Sequence, residues 1–262
     1  EPHGDPGGFD HNRQSLRILD YLEGRHPERV GLNVSWEVRE GVAKRHSTEG
    51  IPQFAEFCQT SQPSLEAQIA DLADEIAYNC HDTEDGMRAG IIALEDLREN
   101  PLWEEAMADV IQRYGDVPRP ILQSRTVHNV IDRLVTDAIV TTQQNVEQYR
   151  ITSVDDVRRC PVRLVSLSPA AGPANRDLKR FLYARVYYHY QVARMKEKAR
   201  RLVSEIFETY FRQPSQLPDQ VRQRLANEPL PRVLCDYVAG MTDRYALDEH
   251  RRLFEIDVRL LP

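Results

Sequence analysis

Cysteine is scarce and scattered in this chain. Only Cys58, Cys80, Cys160 and Cys235 occur, with no CxxC pair and no Cys/His cluster, which argues against a zinc-finger site or a disulfide framework. They read as buried thiols of a reducing cytoplasm. Long apolar runs are missing as well: nothing approaches the eighteen or so residues of a membrane span, and no signal-peptide pattern is present, so no membrane is expected. Positive charge is short. A net charge of −7 argues against broad electrostatic capture of nucleic acid, while leaving room for a local basic groove. Strand patterning is almost absent, with one plausible segment near 256–261 and a shorter β-like candidate at 162–167. Repeats, low-complexity tracts and an obvious inter-domain linker do not appear. The opening EPHGDPGGF has neither an initiator Met nor a structured lead-in and reads like the middle of a polypeptide. What is present is globular: 262 residues at 41% hydrophobic composition suffice for one large core or two closely joined ones.

The stretch 68–90, QIADLADEIAYNCHDTEDGMRAG, organises the rest. At about 100° per residue its apolar positions Ile69, Leu72, Ala73, Ile76, Cys80 and Met87 form one stripe, and Asp71, Asp74, Tyr78, Asp82 and Asp85 form the opposite one. Acid faces acid until Arg88, and like charges at helical spacing repel by a few tenths of a kcal/mol per pair, roughly. A solvated acidic face and a metal or polar-substrate face both account for the pattern.

The remaining periodicity predicts helices. Residues 11–22 carry Leu16, Ile18, Leu19 and Leu22, with His11, Asn12 and Gln14 in the first turn; 33–44 carry Val34, Val38 and Val42 and end in Lys44, Arg45 and His46. That basic triplet suits either a helix C-terminus or an anion site. Residues 50–63 read as a loop, after which Ser64 caps the central helix, with Ala67 at the box position. The central helix is expected to continue through 91–100. Further helices are predicted at 102–114, 121–148, 153 or 154 to 159, 173 or 175 to 210, 221–226 and 230–246, with a turn at 247–254.

Several ordered blocks together resemble one family. QIADLADEIAYNCHDTEDGMRAG, GGFDHNRQSLRILDYLE, GLNVSWEVREGVAKRH, NRDLKRFLYARVYYH and CDYVAGMTDRYA are similar to the deoxyguanosinetriphosphate triphosphohydrolase-like branch of the HD-domain phosphohydrolases, from Gly7 to about Phe254. The resemblance implies an all-α fold: an HD-domain helical core with additional C-terminal helices and little or no strand. Residues 1–150 would be the later part of that catalytic core and 151–262 a helical region packed on it.

The activity so implied is hydrolysis of a deoxynucleoside triphosphate to the deoxynucleoside and inorganic triphosphate, in the cytoplasm. A divalent metal ion would assist, Mg, Mn or a transition metal such as Fe, Co, Ni or Zn, polarising the phosphate and lowering the pKa of bound water that attacks the α-phosphorus. Asp74 matches the family's later metal ligand. Tyr78 at i+4 and Asp82 at i+8 match its sugar contacts, the first packing on the ring and the second accepting from the 3′-hydroxyl. These three positions share one helical face about 6 Å apart per turn. His11 matches a catalytic-neighbourhood histidine that arranges protons, with Asn12 its polar follower; a helix-start role is the plainer reading. Lys44 matches a phosphate-contacting lysine. Lys179 and Tyr187, eight apart, match a phosphate-binding cation and a pocket tyrosine, and a triphosphate of about four negative charges needs several cations. Arg185, His189 and Arg194 read as solvated helix, and Asp236, Tyr237, Thr242, Asp243 and Arg244 mark the family without an assigned chemistry.

One departure is informative. The family's first metal His, its His-Asp pair and the following His and Glu belong ahead of GGFDHN, and His3 does not match the pair. Asp74 alone falls short of the three or four ligands a metal needs. Three readings follow: a piece of an active enzyme, a catalytically inactive deoxynucleotide-binding or regulatory protein, or an HD-type mononucleotide phosphohydrolase. A purely structural assembly subunit is a fourth. The resemblance also implies a homo-oligomer that responds to other deoxynucleotides or to single-stranded DNA.

Overall fold

The computed structural model of the protein describes residues 9–44, 52–57 and 62–255. These residues form an all-α structure of eleven α-helices with short 3₁₀ and π turns between them. Among the described residues the only β pairing is an isolated bridge between His26 and Arg29. The β-like candidate at 162–167 is irregular chain, and the one at 256–261 lies outside the described residues.

Residues 10–189 make one compact unit and residues 190–255 belong to another, so 151–189 cluster with the helices that precede them. The first unit holds α1 (His11–Arg17), α2 (Trp36–Ala43), α3 (Leu65–Arg88), α4 (Pro101–Tyr114), α5 (Arg119–Gln148), α6 (Val154–Arg159) and α7 (Ala171–Leu182). The second holds α8 (Tyr190–Arg212), α9 (Asp219–Gln223), α10 (Leu230–Ala239) and α11 (Asp243–Phe254). In the first unit Ile76, Cys80 and Met87 of α3 pack with Trp103 and Met107 of α4, Val130 and Leu134 of α5, and Leu178 and Leu182 of α7. Each such side chain contributes about 1.5–3 kcal/mol on burial. In the second, Ile206 and Tyr210 of α8 pack with Leu217 and with Leu234 of α10.

Helix ends follow local chemistry, and several differ from the periodicity. The second helix starts at Trp36 rather than residue 33, because Asn33 adopts a left-handed φ of 55°. On α3 the Ser64 hydroxyl accepts from the Ala67 N–H at 3.3 Å, as the sequence indicates. Its other end is a glycine stop: Gly90 has φ +68° and the Ile91 N–H returns to the Gly86 carbonyl at 2.9 Å. Residues 91–100 therefore do not continue α3 and hold only the 3₁₀ turn Leu94–Leu97. The long helix expected up to residue 210 is interrupted by a π turn, Tyr183–Tyr187, and by Tyr188 and His189. The helix expected at 230–246 is two: α10 ends at Gly240, and the Thr242 hydroxyl accepts from the Tyr245 N–H at 3.2 Å to begin α11.

The α3 stripe is narrower than expected, since Ile69 is 50% exposed and Ala73 is exposed, while Gln68, Asn79 and Thr83 join the buried side. Of the cysteines, Cys80 and Cys160 are buried but Cys235 is exposed, and Cys58 lies outside the described residues. Burial pushes the Cys80 thiol up to about 12. Its neutral form is therefore favoured in the folded state; the stability it contributes is intact below the unfolded thiol value of ~8.5 and is lost as pH rises from there towards about 12. At pH ~8.5 a thiol reagent is expected to label Cys235 and spare Cys80 until the chain is unfolded, with peptide mapping as the readout. Rapid native labelling of Cys80 would contradict the packing.

Candidate functional site

All seven candidate site residues lie in the unit 10–189. On α3, Asp74 and Tyr78 are exposed and Asp82 is half-buried, on the face turned away from the core. They climb the helix over two turns, about 12 Å from first to last. The Tyr187 hydroxyl donates to Asp82 Oδ2, and the Tyr187 ring lies 6.4 Å from that of Tyr78 and 4.9 Å, edge-on, from that of Tyr183. Burial first, and the Asp82 carboxylate second, push the Tyr187 hydroxyl well above its usual range, so it remains a protonated donor.

The π turn explains how Tyr187 reaches Asp82. Along a regular helix Tyr187 would stand about 120° round the axis from Asn175, at roughly 100° per residue. Five residues in the wider π geometry, at roughly 80° each, remove about 100° of that rotation and bring Tyr187 back onto the face bearing Asn175. That face meets α3. Asn79 Nδ2 donates to Asn175 Oδ1 at 3.1 Å, and Asn175 Nδ2 donates to Glu75 Oε1 at 2.9 Å, which links two positions of α3 through one residue of α7. Asn79 and Asn175 are each 1% exposed, so water cannot replace either partner. Asn175→Ala is expected to cost about 1–3 kcal/mol in urea unfolding, because it strands Asn79. A loss below roughly 0.5 kcal/mol would show the link to be dispensable.

A second cluster lies where α2 crosses α3. Gly41 permits the close approach: a Cβ there would sit 2.9 Å from the Ala67 Cβ. Beside the crossing is a cavity of about 740 Å³ lined by Val38, Val42, Ala70, Asp74 and Arg158, among others. Beneath it Glu40, fully buried, accepts from Lys44 Nζ at 2.9 Å and from an Arg158 guanidinium nitrogen at 3.1 Å. Arg158 also lies over the Trp36 ring at 5.1 Å.

The structure thus brings Tyr78, Asp82 and Tyr187 together and sets Asp74 on the same face, lining the neighbouring cavity. Lys44 ends α2 with its side chain turned inward to Glu40, while Arg45 and His46 lie outside the described residues. His11 is exposed in the first turn of α1, whose start Asp10 caps by accepting from the Arg13 N–H at 2.7 Å. Its neighbour Asn12 is buried and donates to the Ala43 carbonyl at 3.2 Å, which places the start of α1 beside the end of α2. Lys179 is exposed on α7, one turn from Asn175, and has no ion-pair partner among the described residues. Glu40, Arg158, Asn79 and Asn175 escape a reading by periodicity. A polar residue on a buried stripe is the only signal they leave.

Among the described residues no three His, Cys, Asp or Glu side chains gather closely enough to hold a metal ion. Asp74 offers a single carboxylate. These residues alone do not complete a metal centre.

The all-helical fold agrees with what the chain is similar to. Residues 165–252 match the model of the phosphohydrolase-associated domain, HD_assoc. Deoxyguanosinetriphosphate triphosphohydrolase-like proteins are its relatives: that of Geobacter metallireducens is 43% identical over 251 residues, 95% of this chain and 65% of that protein. That of Bordetella pertussis is 43% identical over 254 residues, 95% of this chain and 66% of that protein. That of an Azoarcus species is 43% identical over 256 residues, 96% of this chain and 67% of that protein. The chain belongs to this deoxyguanosinetriphosphate triphosphohydrolase-like family of phosphohydrolases, and it spans about two thirds of the length of these relatives.

Proposed function

We propose that this chain carries the substrate-binding face of a deoxynucleoside triphosphate triphosphohydrolase, which releases the deoxynucleoside and inorganic triphosphate. The observation that carries the reading is the Tyr187–Asp82 bond beside Tyr78, on the face of α3 that also bears Asp74. Asp82 takes Tyr187 on one oxygen and offers the other to the 3′-hydroxyl of the sugar. The exposed ring of Tyr78 packs on the sugar and fills the space a 2′-hydroxyl would need, which favours deoxyribose, with Tyr187 a further tyrosine of the pocket. Lys179 and Lys44 are the cations for the phosphates; Lys179 is open to solvent, whereas Lys44 would first share its charge with Glu40. His11 serves the proton network around the reacting phosphate. Asp74 serves as one ligand to a divalent metal, together with ligands outside the described residues; when bound, the metal supplies charge stabilisation and a more acidic water. A homo-oligomer, and regulation by other deoxynucleotides or single-stranded DNA, belong to the same proposal.

The test is product analysis on the full-length polypeptide. With a deoxynucleoside triphosphate and Mn²⁺, ³¹P NMR is expected to show inorganic triphosphate appearing with the deoxynucleoside. Orthophosphate instead would indicate a mononucleotide phosphohydrolase, and nucleotide binding without turnover a regulatory protein.

A further inference from the structure

Away from the α3 face, α4 and α5 enclose a groove of about 650 Å³ lined by Gln112, Arg113 and Tyr114 from one helix and Arg125, His128 and Asp132 from the other. Two guanidiniums converge on a single ring there: Arg113 stands 5.6 Å from the Tyr114 centroid and Arg125 5.8 Å. Neither has a carboxylate partner among the described residues. Elsewhere on the same helix pair the opposite holds. Arg133 bonds both Glu105, at 2.9 Å, and Asp109, and it holds the Asp109 carboxyl below the usual carboxylate range. Asp109, a further lining residue, is therefore already neutralised, and the groove keeps two free guanidiniums against the one carboxylate of Asp132.

Helix-end electrostatics explain Arg113, which lies in the last turn of α4, but not Arg125, which lies well inside α5. Cation–π contact with Tyr114 draws both guanidiniums to one place and uses none of their N–H donors, which leaves these available to an acceptor. Each lies within 6 Å of the ring, so the two are no more than about 11 Å apart, a span that a di- or triphosphate with its several oxyanions can bridge. His128 adds a third polar group. Its Nδ1 donates to the Ser124 carbonyl at 2.7 Å, which fixes the ring in the groove wall.

We propose that this groove is a binding site for a small phosphate-bearing molecule, gripped by Arg113 and Arg125 and separate from the α3 face. The proposal does not depend on the activity assigned above. Inorganic pyrophosphate is the probe, titrated into the whole chain by calorimetry while the arginine Nε–Hε resonances are followed by NMR. Saturable binding is expected, with the Arg113 and Arg125 resonances moving together, and R113Q/R125Q is expected to weaken it at least tenfold. Tyr114→Leu removes the ring beneath both guanidiniums while keeping their charge, and is expected to weaken binding too. Arg88→Gln, an exposed arginine on α3, serves as the control and leaves the affinity unchanged. Absence of saturable binding, wild-type affinity in R113Q/R125Q, or heat of binding with both resonances unmoved overturns the proposal. Should the double variant fold poorly, the single variants R113Q and R125Q give the same reading separately.

Discussion

Asp74→Ala in the full-length polypeptide is expected to lower the rate of metal-dependent triphosphate release on the order of 10³-fold or more, while leaving the fold intact. The two halves of that expectation have different origins. Loss of rate follows from the proposed role: a carboxylate that ligates the metal cannot be replaced by a methyl group without losing charge and position together. Tolerance of the fold follows from the structure, where Asp74 is exposed on α3 and α3 is held by Ile76, Cys80 and Met87 on its other side. Exposed substitutions of this kind change stability by roughly ±0.5 kcal/mol. Product release and thermal unfolding, measured on the same preparation, separate the two. Unimpaired turnover would remove Asp74 from the site, and a large drop in Tm would make its role structural.

Glu40→Ala should do the reverse and unfold the α1–α2 region. Glu40 is fully buried between Lys44 at 2.9 Å and Arg158 at 3.1 Å, and Lys44 is itself only 9% exposed. Removing the carboxylate breaks the buried pair with Lys44 and the contact with Arg158, which costs about 3–5 kcal/mol for a broken buried pair. In a chain of this size that corresponds to a fall in Tm of roughly 10 °C. Glu40→Gln keeps the volume and one acceptor oxygen, so a smaller loss is expected. Chemical unfolding of both variants checks the order. A Glu40→Ala protein within about 1 kcal/mol of the parent would mean that water reaches Lys44 and Arg158 after all.

How much of this the sequence carries differs by level. Periodicity locates most helices, because a buried stripe repeats every three or four residues whatever packs against it; α4, α5 and α6 fall within two residues of where the pattern puts them. Breaks are less legible. Gly90 stops α3 with a left-handed φ of 68°, α10 ends at Gly240 before the Thr242 cap of α11, and the apolar pattern runs on past both. The two-faced character of α3 is plain from its acids and aromatics, but their partners are not. Asp71 is met by Arg163 at 2.7 Å, Glu75 by Asn175 and Asp82 by Tyr187, each supplied from about a hundred residues away. The like-charge repulsion along α3 is thus relieved by side chains that no local pattern could assign to it. Lys44 shows the same limit: its position at a helix end is readable, its turn inward to Glu40 is not.

The wide turn at Tyr183–Tyr187 makes the two walls of the proposed sugar pocket unequal in what they tolerate. It accommodates about one residue more than a regular helix of the same rotation, so a chain one residue shorter there could revert to α geometry and still present the same tyrosine to Asp82. The opposite wall has no such slack. Dropping one residue between Asp74 and Asp82 would swing everything beyond it by about 100° and carry the aspartate out of reach of its partner. Length variation among homologous chains should therefore gather on the tyrosine side of the pocket and be purged from the carboxylate side.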